Sequence, residues 1–181
     1  GGHFESSSID LGNEVVLSNK GDGDGMIIKY NSSGECEWAK GIGGGDSDYI
    51  NSVAETSDGG IIVGVYFQSN SIKLGNGVSL SNKGYLDGMI IKYSAEREYE
   101  WAKVIGGIHN DIINSVAETS DGGILVGGYF GGSIDLGNGI VLTSNGDGNG
   151  MIVKYNELGE CEWAKVIGGI HNDTIHSVTE T

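Results

Sequence analysis

Short apolar runs, separated by glycine, asparagine, aspartate and serine, make up the whole chain. In the copy that follows residue 111 the runs are SVAET, ILVGGYF, SIDLG, GIVLTS, MIVKYN and CEWAKVIGG. Val, Ile, Tyr, Phe and Thr dominate these runs, as they do in β-strands, and the residues between the runs favour turns. No window of helical length keeps apolar residues at the helical spacing. The pattern therefore predicts an all-β fold with little or no helix.

Some of these runs are apolar on both faces. MIIKY and IIVGVYF do not alternate cleanly between apolar and polar residues. A strand that is covered on one side only shows such alternation, so we expect these strands to be packed on both sides. Sheets stacked face to face in a series provide that environment.

The runs return at a regular spacing. Trp38 and Trp101 are 63 residues apart, Trp101 and Trp163 are 62 residues apart, and the string EWAKVIGGIHND occurs at both 100–111 and 162–173. We divide the chain into repeats 1–63, 64–126 and 127–181, of which the last is incomplete. A period of this kind indicates a repeat architecture, in which a repeated residue is first of all a building block.

Turn sequences within each period predict hairpins. SDGG at 57–60 and 120–123 joins two apolar runs, and LGN at 11, 74 and 136 marks a smaller hairpin. About four principal strands and one small hairpin per period describe a β-propeller blade. We therefore predict three four-stranded antiparallel blades of about 62 residues, with residues 1–181 forming a single β-propeller or part of one.

Several spaced signals together resemble a known family. They are W-A-K-x-I-G-G, an aspartate ten residues after the tryptophan, then S-V-x-E-T-S-D-G-G-I, and D-G-M-I-I-K-Y before the next tryptophan. The string resembles the bacterial β-propeller repeat called SBBP, and the resemblance covers all three copies. It implies a many-bladed protein that is secreted or on the cell surface and has no assigned chemistry. The chain departs from the family in having three copies and in placing Gly-Met where an aromatic residue is more usual.

The two ends of the chain fall at different phases of the repeat. Gly1 aligns with Gly64, whereas Thr181 aligns with Thr119, so the strand expected around 176–181 lacks the hairpin partner that Ser120–Val126 provides one repeat earlier. Closed propellers have four to eight blades. Two explanations stay open: a homodimer that completes a six-bladed ring through its terminal strands, and an excised part of a longer propeller.

Charge and hydropathy narrow the classes of partner. The net charge is −15, with 10 basic and 25 acidic residues. Binding to nucleic acid requires clustered Lys and Arg, so nucleic acid is disfavoured as a partner. No apolar run is long enough for a membrane span, so membrane insertion is not expected.

Cys36 and Cys161 occupy the same phase two repeats apart, too far for a disulfide, so we expect two free, buried thiols.

Candidate ligand-binding residues are explained more simply as structural. DGDG at 22–25 resembles the start of a Ca²⁺ loop, but the twelfth position is Ser33 instead of a bidentate Glu. Asp24, Asp87 and Asn149 share a phase, which favours a turn-forming side chain over a metal ligand. His109 with Asp111 and His171 with Asp173 offer two donors each. We expect the aspartates at 48, 111 and 173 to cap backbone amides in loops.

No catalytic constellation is predicted. Ser52, Ser115 and Ser177 recur with the period, whereas a catalytic serine is expected once beside a unique His and acid. The three repeated tryptophans are expected to pack between blades, with sugar stacking as the alternative. The sequence therefore predicts no catalytic, cofactor-binding or metal-binding residues and no cofactor, with Ca²⁺ as an open alternative.

The favoured function is a noncatalytic binding, adhesion or scaffold module of an extracellular or cell-surface bacterial protein. Its expected ligand is a protein or a glycan, and repeated loops would give several equivalent weak contacts. Two alternatives stay open: a lectin-like carbohydrate-binding propeller, with or without Ca²⁺, and a fragment of a larger propeller enzyme.

Overall fold

The computed structural model describes all residues, Gly1–Thr181, and contains only strands and connecting segments. Seventeen strands form two four-stranded sheets, one three-stranded sheet and three two-stranded hairpins. Every pairing between named strands is antiparallel. The prediction of an all-β chain built from propeller blades is confirmed. No helix in the structure has the length and hydropathy needed to cross a membrane.

Each main sheet is a meander whose strands run from an inner to an outer position. In the middle blade the strands are β6 (Asp48–Glu55), β7 (Ile61–Phe67), β10 (Asp87–Tyr93) and β11 (Tyr99–Ile105). In the C-terminal blade they are β12 (Asp111–Glu118), β13 (Ile124–Phe130), β16 (Asn149–Tyr155) and β17 (Cys161–Ile167). Strands β6 and β12 contact each other, so the first strand of each sheet is the inner one. The blades therefore stack face to face with their first strands nearest a common axis.

The N-terminal sheet has three strands instead of the predicted four. They are β1 (Gly2–Phe4), β4 (Asp24–Tyr30) and β5 (Cys36–Ile42). Because β1 is in phase with β7 and β13, the strand that this sheet lacks is the equivalent of inner strand β6. The four-stranded sheets begin at Asp48 and Asp111, so they are out of phase with repeats counted from Gly1.

A small hairpin interrupts each blade between its second and third strands. The pairs are β2 (Ser8–Asp10) with β3 (Val16–Ser18), β8 (Ser71–Gly75) with β9 (Val78–Ser81), and β14 (Ser133–Asp135) with β15 (Val141–Thr143). The turn between β8 and β9 holds Asn76 at φ 49° and Gly77 at φ 78°, which explains the LGNG sequence. Asn138 donates its side-chain N–H to Cys161 O at 3.1 Å and so fixes the third hairpin to the outer strand. The predicted LGN hairpin is confirmed.

The hydrophobic core lies between the sheets. One cluster fills the space between the middle and C-terminal blades, and a second fills the space between the N-terminal and middle blades. All seven residues of β10 are buried, as expected for a strand covered on both faces. Cys36 and Cys161 are buried free thiols, as predicted.

The predicted C-terminal strand is not formed as a strand. Residues 168–181 form no strand and belong to no sheet. The segment 173–180 nevertheless lies where an inner strand would lie, and Ile175 donates its backbone N–H to Gly128 O at 3.2 Å. We call residues 173–180 the terminal segment.

Candidate functional site

The repeated serines connect the inner strands of neighbouring blades. Ser52 Oγ accepts the backbone N–H of Val116 at 3.1 Å, and Ser115 Oγ accepts the N–H of Val178 at 3.2 Å. Each bond reaches from one repeat to the next. The repeated serines, for which we expected no catalytic role, therefore have a structural role: they join neighbouring blades.

A β-bulge supplies a second link between blades. The pairing of β6 with β7 shifts between Ile50 and Ser52, so Asn51 is left outside the ladder. Asn51 donates its side-chain N–H to Ile113 O in the next blade at 2.9 Å. Asn114 makes the same bond to Ile175 O in the terminal segment, also at 2.9 Å.

Glycines in the second strands let the blades approach closely. A Cβ on Gly64 would lie 2.9 Å from Ile113 Cγ2 and 3.1 Å from Val116 Cγ1. A Cβ on Gly127 would meet Ile175 and Val178 of the terminal segment in the same way. The terminal segment thus contacts the C-terminal blade through the same positions as a paired inner strand.

The SDGG turns lie at one end of the blades, which we call the turn face. Asp58 accepts bonds from the Thr56 hydroxyl, from Gly60 N–H at 2.9 Å and from Lys92 Nζ at 3.0 Å. The hydroxyl bond from Thr56, followed by the Gly60 and Lys92 bonds, lowers the pKa of Asp58 to about 2. Asp121 has the same arrangement with Lys154, and its pKa is also lowered, with the Lys154 bond as the largest cause.

The tryptophans lie where the outer strand of one blade meets the next blade. Trp101 donates its indole N–H to Glu157 O at 3.1 Å, and the guanidinium of Arg97 lies 5.6 Å from the ring centre of Trp38. Trp163 has no following blade to contact and is 42% exposed. Packing between blades, which the sequence predicted for these residues, is confirmed for Trp38 and Trp101.

A groove opens on the turn face between the middle and C-terminal blades. Its volume is about 630 Å³, and we call it the acidic groove. Four carboxylates and one ammonium line it, together with Trp101 and Leu158; the charged residues are Asp58, Glu100, Glu118, Glu157 and Lys92. The corresponding groove between the first two blades is lined instead by Arg97, Lys29 and Glu55. The two grooves therefore differ in charge although the blades repeat.

The opposite end of the blades, which carries the small hairpins, is the hairpin face. Here Asp48 accepts Gly44 N–H at 2.8 Å, Asp111 accepts Gly107 N–H at 2.8 Å, and Asp173 accepts Gly169 N–H at 2.8 Å. The predicted capping role of these aspartates is confirmed. Asp48 and Asp111 are fully buried, and burial raises the pKa of Asp111 to about 7.

The turn-forming role predicted for Asp24, Asp87 and Asn149 is also confirmed. Each accepts the backbone N–H of the residue four positions earlier, at 3.1, 2.6 and 2.6 Å respectively. All three are fully buried, which the sequence did not predict.

The candidate metal ligands do not converge. Both carboxylate oxygens of Asp111 accept backbone N–H groups, from Gly107 and Gly131, while His109 is exposed. No group of three or more His, Cys, Asp and Glu side chains lies together in positions suited to holding a metal ion.

An aromatic stack on the hairpin face was missed by sequence reasoning. The ring centres of His3 and Tyr49 are 4.3 Å apart, and those of Tyr49 and Tyr66 are 4.8 Å apart. Tyr49 is replaced by Ile112 and Thr174 in the other repeats. The signal in the sequence is the departure from the repeat at Tyr49.

Comparison with known proteins supports the repeat architecture. The chain is 27% identical over 195 residues to an uncharacterized WD repeat-containing protein of Acanthamoeba polyphaga mimivirus, covering 93% of the chain and 14% of that protein. It is 28% identical over 111 residues to the regulatory protein FlaEY of Caulobacter vibrioides, covering 60% of the chain and 12% of that protein. No protein-family model matches the chain. The chain thus spans a small part of both relatives, and with its stacked antiparallel sheets it is built from β-propeller-type repeats.

Proposed function

We propose that the chain is a noncatalytic binding or scaffold module. The observation that carries the proposal is the use of the repeated polar side chains to join blades, as in the bond from Val116 N–H to Ser52 Oγ. Residues that differ between repeats, such as Glu157 and Leu158, are thereby free to form a recognition surface beside the repeated ones. The similarity to a WD repeat-containing protein supports a propeller that binds other proteins.

The acidic groove is the proposed binding surface, and its proposed ligand is a basic protein segment. Glu157 and Glu100 are exposed along the groove, next to the apolar surfaces of Trp101 and Leu158. Lys or Arg side chains would pair with these carboxylates while their aliphatic stems cover the apolar surface. The net charge of −15 would speed the approach of such a ligand.

An array of peptides of varied charge tests this proposal. We expect basic peptides to bind, and we expect Glu157→Lys to weaken their binding at least tenfold. The matched control is Asp147→Lys, because Asp147 is exposed beside the start of β16 whereas Glu157 follows its end. Equal loss in both variants would indicate a general charge effect and would contradict a site in the groove.

A lectin-like function is the second candidate, and the aromatic stack favours it. Exposed or half-buried aromatic rings can pack against the apolar faces of sugars, and Tyr49 and Tyr66 are half-buried. A glycan array with the protein and with Tyr49→Ala tests this function. A signal that the variant loses would support it, whereas a blank array would exclude it for the glycans displayed. Loss of signal in chelator would add a Ca²⁺ requirement.

The resemblance to SBBP repeats supports an extracellular or cell-surface location in a bacterium, which stays a proposal. Localisation of the tagged protein in its source cell would test it. Recovery in the cytoplasm alone would contradict it.

We also propose a homodimer with six blades. Strand β1 has no neighbour on its inner side, and the terminal segment has no hairpin partner. Pairing the terminal segment of one chain with β1 of the other would give each three-stranded sheet a fourth strand and would cover both edges. Light scattering is expected to give twice the 18.9 kDa chain mass. A monomer mass at micromolar concentration would instead support a piece of a longer propeller.

A further inference from the structure

Two pairs of aspartates are buried on the hairpin face, which we call the carboxyl pairs: Asp24 with Asp48, and Asp87 with Asp111. All four side chains are fully buried. Asp24 Oδ1 and Asp87 Oδ1 have no hydrogen-bond partner. A buried, unpaired polar atom is costly, so each of these two oxygens requires a partner or a proton.

The third blade shows what the position requires. There Asn149 replaces the first aspartate of the pair, and its side-chain N–H group donates to Gly169 O at 2.9 Å and to Asp173 Oδ2 at 3.4 Å. Its Oδ1 accepts the Asn145 N–H just as Asp87 Oδ2 accepts the Lys83 N–H. Asn149 Nδ2 and the unpaired Oδ1 atoms therefore have equivalent positions, and Asn149 places a hydrogen-bond donor there.

A glycine closes each site. A Cβ on Gly106 would lie 2.5 Å from Asp87 Oδ1, a Cβ on Gly43 would overlap Asp24 Oδ1, and a Cβ on Gly168 would lie 2.6 Å from Asn149 Nδ2. The backbone therefore lies against the unpaired oxygen. Because the backbone lies so close to the unpaired Oδ1 atom, a proton bound to that oxygen fits the site.

Charge near the pairs varies in step with the aspartates. Lys20 and Lys83 donate Nζ to Gly43 O and Gly106 O, each at 3.3 Å. In the third blade Asn145 replaces the lysine in the same repeat where Asn149 replaces the aspartate. The other ionisable side chains on the loops that hold the pairs are exposed: they are Asp22, Asp46, Tyr85 and His109.

We propose that each carboxyl pair takes up one proton from water in the mildly acidic range, carried on Oδ1 of Asp24 or Asp87. This proton is donated toward the Gly44 or Gly107 carbonyl and the neighbouring Asp48 or Asp111 carboxylate, as the Asn149 amide hydrogen is donated in the third blade. The first two blades are thereby stabilised on acidification.

The direction of the pH effect follows from linkage. Burial raises the pKa of all four aspartates, Asp24, Asp48, Asp87 and Asp111. The pKa of Asp111 is raised to about 7, and the nearby charge of Asp87 adds to this increase. The unfolded carboxyls titrate near 3.8. Between pH 3.8 and about pH 7, the folded chain holds a proton that the unfolded chain lacks. The stabilisation is therefore complete at the low end of this range and is lost as the pH rises toward 7.

Melting temperatures between pH 5 and pH 8 test the proposal. We expect the wild-type chain to melt at a higher temperature at pH 5 than at pH 8. The double variant Asp24→Asn/Asp87→Asn should lose most of this difference, mainly by melting a few degrees higher than wild type at pH 8. The reciprocal variant Asn149→Asp should increase the difference.

Asp22→Asn/Asp147→Asn is the charge-matched control, because both of these residues are exposed on the hairpin face. It should keep the wild-type pH response, and the four histidines are present in every variant. An unchanged pH response in Asp24→Asn/Asp87→Asn would overturn the proposal. A rise in melting temperature on adding Ca²⁺ at pH 8, seen in wild type and lost in that variant, would also overturn it by showing a cation at the site.

An infrared spectrum gives a second readout that does not depend on stability. A protonated carboxyl band at pH 6, present in wild type and reduced in Asp24→Asn/Asp87→Asn, is expected. Its absence from folded wild-type protein would contradict proton uptake by the pairs.

Discussion

Val178 donates its backbone N–H to Ser115 Oγ at 3.2 Å, one repeat after Val116 donates to Ser52 Oγ at 3.1 Å. Val178 belongs to a segment without a strand partner, whereas Val116 belongs to a four-stranded sheet. The hydrogen bond between blades therefore forms even where the segment that donates it is not paired with a strand of its own blade. Serine, asparagine and glycine at fixed repeat positions contact the terminal segment just as they contact inner strand β12.

The serine bond predicts a specific cost for its removal. Ser52→Ala should lower the free energy of unfolding by about 1 kcal/mol, because the Val116 N–H loses its acceptor. Urea denaturation measures the change. Ser177→Ala is the control, since Ser177 has the same phase, is exposed and accepts no bond from a following blade in this chain. Equal effects of the two substitutions would contradict a role for serine in joining blades.

The glycine contact predicts a large effect of a small side chain. Gly64→Val should destabilise the chain by about 1–3 kcal/mol, since even its Cβ would lie 2.9 Å from Ile113. Gly41→Val is the matched control, because nothing lies within 4 Å of a Cβ at Gly41 and the other repeats carry Val104 and Val166 there. Thermal unfolding of both variants measures the difference. A Gly64→Val variant as stable as Gly41→Val would show that the blades are not closely packed at this position.

The hydrogen bonds that Asp58 accepts from Thr56, Gly60 and Lys92 predict a pH-dependent contribution to stability. The folded-state pKa of Asp58 is about 2, below its ordinary value of 3.8, so the stabilisation is present above pH 4 and is lost as the pH falls through 2. Asp58→Asn should therefore lower the melting temperature at pH 7 more than at pH 2. A loss of equal size at both pH values would assign the effect to turn geometry instead of charge. Glu37→Gln is a control, because its partner Lys29 is exposed.

The tryptophans predict different responses to truncation. Trp101→Ala should destabilise the chain by roughly 2 kcal/mol, since the half-buried ring contacts the next blade, whereas Trp163→Ala should cost less. Fluorescence spectra of the single-tryptophan variants provide an independent measurement. Emission from Trp163 should lie at longer wavelength than emission from Trp101. The reverse order would contradict the placement of Trp101 between blades.

The features that could be predicted from the sequence are those that recur in the aligned repeats. Three aligned copies reveal the strands, the SDGG and LGN turns, the free cysteines and the capping aspartates, because each copy has to make the same local bonds. Periodicity does not reveal which strand is innermost. The strand expected around 176–181 is not formed, since β-propensity indicates where a strand can form but does not supply its partner.

The features that the sequence missed depend on contacts between copies. The stack of His3, Tyr49 and Tyr66 joins residues from two blades, and the burial of Asp24 depends on the packing around it. The acidic groove differs from its neighbour because Arg97 is replaced by Gly159 in the next repeat. Such differences are visible in the sequence, but their positions in space are not.

Amide hydrogen exchange at Val116 and Val178 tests most directly whether repeated polar side chains hold the blades together. Both amides should be protected in the wild-type chain, and Ser115→Ala should abolish protection at Val178 while leaving Val116 protected. A Val178 amide that exchanges at the rate of an unfolded peptide in the wild-type chain would contradict the account.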